Sequence, residues 1–164
     1  MSILKSLQRW LEPETVYAHC DIPCGIYDPH EAIVAAQTCV RMTDLIAELP
    51  TKGLSDVEMR NSFVRYIGTK ETHAEKAKHE VRIIWGDYFK DEHLKVAPEL
   101  HALVWKIMKQ GGKVRQSADK QAALDLLDSV NKFAEIFWKT KDKPTHTVEA
   151  PYPTKKPMMV PILK

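Results

Sequence analysis

Cysteine is scarce in this chain. Three among 164 residues are too few for a disulfide framework, so a small secreted scaffold stapled by bridges is excluded. No apolar run approaches the roughly 20 residues that a membrane span needs. Charge of one sign is not concentrated either. The formal net charge is +2, and lysines and glutamates are interleaved rather than blocked, which argues against a dedicated nucleic-acid surface. The N-terminus lacks the continuous apolar centre of about 7–15 residues that marks a secretory signal. There is no internal repeat, and no segment reads convincingly as a strand. What is present is ordinary for a globular protein, 44% hydrophobic and 28% charged residues in a length that suits one domain.

Helical periodicity fills the middle of the chain. Asp28-Pro29-His30-Glu31 reads as a helix start, with Asp28 as cap, Pro29 at the first helical position and Glu31 completing a capping box. Met42, Leu45, Ile46 and Leu49 form its apolar stripe, and Pro50 and Gly53 end it. Ser55-Asp56-Val57-Glu58 is a second capping box. It opens a long amphipathic pattern through Phe63, Ile67, Ala74, Ala77, Val81, Ile84 and Trp85, weakened locally by Gly68. The chain is expected to turn between Asp91 and Ala97. Pro98 then opens a third helix that Gly111-Gly112 should close, and Ser117 should cap a fourth that carries Ala123, Leu127, Val130, Ala134, Phe137 and Trp138. Four amphipathic helices with short connections predict an all-α fold, an antiparallel up-and-down four-helix bundle.

The two ends differ from this middle. Residues 1–18 place Ile3, Leu4, Leu7, Trp10 and Leu11 at helical spacing and then turn polar through Glu12-Pro13-Glu14. This is either an amphipathic helix that docks on the domain or a short leader that is removed. From Asp142 onward the chain turns proline-rich, with five of its ten prolines between Pro144 and Pro161, so residues 142–164 should form an extended tail. Tyr152 and Met158 to Leu163 are too apolar for a simple solvated linker. The tail therefore straps along its own domain, is disordered, or packs on a neighbouring subunit.

The densest chemistry lies in residues 19–27, His19-Cys20-Asp21-Ile22-Pro23-Cys24-Gly25-Ile26-Tyr27. Two of the three cysteines stand four positions apart there, with a histidine beside the first. Pro23 fixes one backbone angle and Gly25 permits a turn that other residues resist, so the segment reads as an N-terminal hook that closes around an ion. Thiolates with nitrogen donors suit a soft or borderline metal. A structural zinc site would want four protein ligands and would have to recruit His30. A thiol–disulfide exchanger normally carries a shorter cysteine spacing near a βαβ pattern. An iron–sulfur cluster would want a fourth cysteine. A redox metal site using backbone nitrogen as well as thiolate is the further possibility, and the residues alone leave the metal open. Cys39, inside a helical pattern, reads as a small core residue.

His19-Cys20-x-x-Pro23-Cys24-Gly25-x-Tyr27-Asp28-Pro29 resembles the metal-binding hook of the nickel-containing superoxide dismutase family. Trp85-Gly86-Asp87-Tyr88-Phe89-Lys90, Pro98-Glu99-Leu100-His101 and Phe137-Trp138-Lys139-Thr140-Lys141 are similar to further blocks of that family, so the resemblance runs from His19 to about Lys141. It implies a four-helix bundle that assembles as a homohexamer and binds one nickel ion per subunit. It also implies a leader, residues 1–18, that a peptidase removes between Ala18 and His19.

Carried over residue by residue, His19 would supply its freed α-amine and, in the oxidised state, its imidazole. Cys20 would supply thiolate and backbone amide nitrogen, and Cys24 the second thiolate. Two nitrogens and two sulfurs suit square-planar Ni(II), and the substrate implied is superoxide. Tyr27, Asp21 and Tyr88 resemble the family's residues around the substrate position, and Lys90 is a candidate for attracting the anion.

The chain also departs from the family. A glutamate and an arginine that some members place against the axial histidine fall at Ala35 and His73, where His73 could brace His19 instead. His79, His93, His101 and His146 show no ligand spacing and read as structural or solvated. The tail lies beyond the matched blocks. Thiols awaiting a metal, without a secretory signal, favour a cytoplasmic location. The alternative function is a non-catalytic metal-binding or thiol-redox helical protein that keeps the hook.

Overall fold

A computed structural model describes residues 24–163. His19, Cys20 and Asp21, with the whole of segment 1–18, lie outside the described residues. Helix α1 spans His30–Glu48 and passes into a 3-10 turn, Leu49–Thr51. Helix α2 spans Asp56–Ile83 and passes into a π-helical turn, Ile84–Tyr88. The short α3 (Asp91–Leu94), α4 (Leu100–Gln116) and α5 (Lys120–Thr140) follow, then strands β1 (Thr145–Glu149) and β2 (Pro157–Pro161). No helix among the described residues is long and apolar enough to cross a membrane.

The long helices pack in a closed ring, α1 on α2, α2 on α4, α4 on α5 and α5 on α1. Their apolar stripes meet in one core, where Phe133, Phe137, Ile33, Leu100, Ile107 and Leu126 are fully buried. Contacts fix the direction of the first pair. Glu31 pairs with Lys76, and the Cys39 thiol donates to the Lys70 carbonyl at 3.6 Å, so α1 and α2 run antiparallel.

The helix starts follow local chemistry, with corrections. Asp28 Oδ1 accepts from the His30 N–H at 2.8 Å, but Glu31 completes no box, because its carboxylate reaches across to Lys76. The box at Ser55 and Glu58 forms as expected. Gly111-Gly112 do not end α4, which continues to Gln116. Gly111 is buried against α2, where a Cβ would stand 2.6 Å from Lys78 Cδ, so it serves close helix approach rather than termination. Asp119, not Ser117, caps α5, its Oδ1 accepting from the Gln121 N–H at 2.8 Å. Ser117 instead donates to the Lys113 carbonyl at 3.0 Å.

One buried cation holds the end of α4. Lys70 is 2% exposed, and its Nζ donates to the Val114 carbonyl at 2.5 Å, to Arg115 at 3.3 Å and to Ser117. An ammonium against the last carbonyls of a helix satisfies groups that have no intrahelical partner and complements the negative end of the dipole. Burial lowers the Lys70 pKa from its ordinary value.

The expectation that no strand is present is overturned. Within the tail, β1 and β2 pair antiparallel, Val148 opposite Met158 and His146 opposite Val160. Prolines had argued against regular structure here, but Pro157 and Pro161 sit at the ends of β2, where a missing donor is tolerated. The hairpin lies on the ring by its apolar residues. Met158 is buried, and Val148, Tyr152 and Val160 pack against the core. Two buried amides pin it. Gln37 donates to the carbonyls of Lys156 and Pro157, each at 3.2 Å, and accepts from Thr154 at 2.6 Å. Asn131 donates to the Pro157 carbonyl at 3.0 Å and accepts from the Met159 N–H at 2.9 Å.

Candidate metal centre

The described part of the hook leads straight into α1. Cys24 is an exposed, unbridged thiol. Gly25 follows at φ +71°, the left-handed conformation that its lack of a side chain permits. Ile26 is 77% exposed, and Tyr27 turns inward against the core. Asp28 and the buried Pro29 then fix the start of α1, the Pro29 carbonyl accepting from the Ile33 N–H at 3.2 Å. Among the described residues no three of His, Cys, Asp or Glu gather as a metal site. Cys39 is no substitute donor, because burial pushes its thiol up to about 12. The described residues thus contribute one accessible thiol, Cys24, and its chemistry fits a thiolate-bound metal.

Of the three residues expected near the substrate, the structure brings two together. The rings of Tyr27 and Tyr88 are 5.7 Å apart and tilted at 52°. Asp21 lies outside the described residues. Tyr88 stands on the π-helical turn after α2, with His93 stacked on it at 5.2 Å and 12°, and Phe89 and Phe137 at 5.1 and 4.8 Å. Its hydroxyl is 2.9 Å from Thr140 Oγ1. Thr140 spends its own proton on the Phe137 carbonyl at 2.7 Å, so Tyr88 is the donor in that pair. Lys141 lies over this cluster, its Nζ 4.9 Å from the Tyr88 ring centroid and 5.2 Å from that of Phe137.

Sequence reasoning missed His93, Thr140 and Lys141 as neighbours of Tyr88. The signal for the last two was present in the Phe137-to-Lys141 block, though nothing in its spacing tied it to Tyr88. His93 is structural as expected, its Nδ1 accepting from the Lys90 N–H at 3.0 Å. His101 accepts from Trp85 Nε1 at 2.9 Å. Lys90 is exposed, and the cation that touches Tyr88 is Lys141. Ala35 and His73 sit between the two contacts that join α1 to α2, and His73 Nδ1 donates to the Thr69 carbonyl at 2.8 Å, which leaves Nε2 as the lone-pair nitrogen of a neutral ring.

An accessible thiol on a glycine turn, in a helical protein whose next aromatic residue packs on Tyr88, suits a thiolate metal site, and comparison with known proteins identifies the family. The profile of the nickel-containing superoxide dismutases matches residues 14–141. The superoxide dismutase [Ni] of Streptomyces coelicolor is 38% identical over 136 residues, covering 82% of this chain and 98% of that one. Its counterpart from Streptomyces seoulensis is 35% identical over the same length and coverage. A native crystal structure of nickel superoxide dismutase superposes with a TM-score of 0.65 at 36% identity, covering 75% of this chain and 99% of that one. The apo structure gives a TM-score of 0.62 at 33% identity, covering 71% and 98%. The chain belongs to the nickel-containing superoxide dismutase family.

Proposed function

We propose that this protein is a nickel superoxide dismutase that converts superoxide to hydrogen peroxide and dioxygen. The observation that carries the reading is the exposed Cys24 thiol on its glycine turn, three residues before the Tyr27 that pairs with Tyr88, in a chain of this family. His19 through its freed α-amine and imidazole, Cys20 through thiolate and amide nitrogen, and Cys24 through thiolate would hold one nickel per subunit. When bound, nickel supplies the one-electron cycling between its divalent and trivalent states that dismutation requires.

The chain's own residues shape what reaches that centre. Tyr88 is locked by Thr140 and stacked on His93, so it offers Tyr27 a fixed wall. With Asp21 the two tyrosines would exclude larger molecules and order water for proton delivery. Lys141, with Lys90, would attract the superoxide anion. The Nε2 lone pair of His73 supports a bracing role toward His19, in place of the glutamate and arginine of some relatives.

The wider reading has residues 1–18 as a leader, 19–141 as the catalytic domain and 142–164 as an appended tail. The family profile begins to match at residue 14, upstream of His19, which supports a precursor form. In mid-chain the His19 nitrogen is an amide without a basic lone pair, whereas after cleavage it is an amine of pKa about 8. The ring of four long helices reads as an antiparallel up-and-down four-helix bundle. A homohexamer, a maturation peptidase and a cytoplasmic location complete the proposal. The test is mass spectrometry of protein expressed with nickel and a matching peptidase. The expected product starts at His19, carries one nickel per subunit and loses its activity in Cys20→Ser. Full activity in a chain that retains residues 1–18 would contradict it.

A further inference from the structure

The C-terminal hairpin builds something that the matched family region does not contain. Tyr152, Pro153 and Thr154, beyond the last matched residue at 141, face α1 and close one side of a cleft of about 270 Å³. Val34, Thr38, Arg41 and Met42 form the opposite wall. These α1 residues recur at helical spacing, so they present one stripe along the helix. Every polar group of the Gln37 side chain beneath is already engaged with the hairpin, and Thr38 Oγ1 donates to the Val34 carbonyl at 2.9 Å. The cleft is therefore apolar in character, with one cation at its side. Among the described residues that cation, Arg41, makes a loose ion pair to Glu48 at 3.7 Å.

A segment of the same chain has the complementary pattern. Ile3, Leu4, Leu7, Trp10 and Leu11 lie at helical spacing, Lys5 and Arg9 fall at the opposite positions of that spacing, and the acidic Glu12 and Glu14 come at the end nearest the domain. Apolar anchors at such spacing laid in a groove are a recurring recognition mode, and Arg41 offers the acids a partner of opposite sign. The tether reaches. Met42, the farthest α1 residue of the cleft, is about 18 Å along the axis from His30 at ~1.5 Å per residue. The chain from Trp10 to Cys24 extends up to about 46 Å at ~3.3 Å per residue. An occupant carried on the same chain has an effective concentration near the millimolar range, which favours it over a second molecule.

We propose that the N-terminal segment Met1–Glu14 docks, by its Ile3–Leu11 apolar face, in the cleft between α1 and the C-terminal hairpin. The hairpin thereby serves as a receptor for this chain's own leader, and the two segments that flank the catalytic domain act together before maturation. The contact is independent of the metal. Its failure would leave the dismutase reading standing, and failure of that reading would leave the contact intact.

The full chain, free of nickel and carrying p-benzoyl-phenylalanine in place of Trp10, tests this by irradiation at low salt and peptide mass spectrometry. Crosslinks within one chain to residues 34–42 or 152–154 are expected. Arg41→Glu should lower their yield by about threefold to fivefold, and the added reversal of Glu12→Arg with Glu14→Arg should restore it. Thermal melts of all variants check that the fold is retained. Crosslinks to other surfaces, crosslinks between two chains, or no crosslink at all would overturn the proposal. So would a yield that Arg41→Glu leaves unchanged or that the reversal fails to restore.

Discussion

Cys24 and Cys39 carry the same thiol in opposite settings. One is exposed on a turn that only glycine makes easy, and the other is sealed among α1 and α2 side chains and kept protonated by burial. The sequence separated them correctly because one sits in a clustered hook and the other in a helical stripe. Lys141 shows what single residues conceal. It lies 53 positions after Tyr88 in the chain, and only the fold brings its ammonium over that ring. If Lys141 helps draw superoxide to the site, Lys141→Gln should lower the rate at low salt by about threefold to tenfold and flatten its dependence on ionic strength, as the loss of a steering charge does. Lys141→Arg should restore both. Pulse radiolysis over a salt series measures this.

Among the elements, helix α2 carries the joints. Lys70 caps α4 from the side, and Lys70→Met keeps the apolar stem while leaving the carbonyls of Val114 and Ser117 without their donor. A loss of about 1–3 kcal/mol in urea unfolding is expected, the cost of unsatisfied buried acceptors. One turn and a half further along, Glu75 gathers Lys78, Arg82 and Arg115, tying α2 to α4. Burial alone would raise its pKa, but the hydrogen bonds and charges of Lys78 and Arg82 outweigh it and hold the carboxyl at about 2, against an ordinary 4.5. A carboxylate depressed on folding stabilises the native state fully above 4.5, and that stability is lost as pH falls from there toward 2. Glu75→Gln should therefore remove part of the acid-limb slope in a plot of unfolding free energy against pH, with denaturant titrations between those values as the measurement.

The helices themselves were legible, since a period of three and four with caps at Asp28 and Ser55 survives into the structure. Gly111-Gly112 were misread because a glycine pair signals either a stop or a close approach, and the choice depends on Lys78 from another helix. The hairpin was not legible because proline density hid it. What stabilises it is Gln37 and Asn131, 119 and 26 residues away in the chain from the carbonyls they hold.

For the whole molecule, the matched and unmatched parts divide cleanly. The family profile spans the ring of helices and the block that surrounds Tyr88, up to residue 141, and the hairpin with its cleft lies beyond that match. The hook before Cys24 was read from residue identity and order alone, and no packing argument reaches it. Trp105 at 66% exposure and Val64 at 68% leave large apolar side chains on the outer faces of α4 and α2. Native mass spectrometry of the mature chain should show six subunits, and a monomer at micromolar concentration would contradict the assembly proposed.

The proposed centre depends on a main-chain nitrogen, created when residues 1–18 leave, joining Cys20 and Cys24 at the metal. X-ray absorption of the nickel-loaded chain that begins at His19 measures the donors directly. Sulfur from both cysteines together with amine and amide nitrogen is the predicted first coordination sphere. A sphere made only of sulfur and side-chain donors, or one unchanged when residues 1–18 are kept, would contradict it.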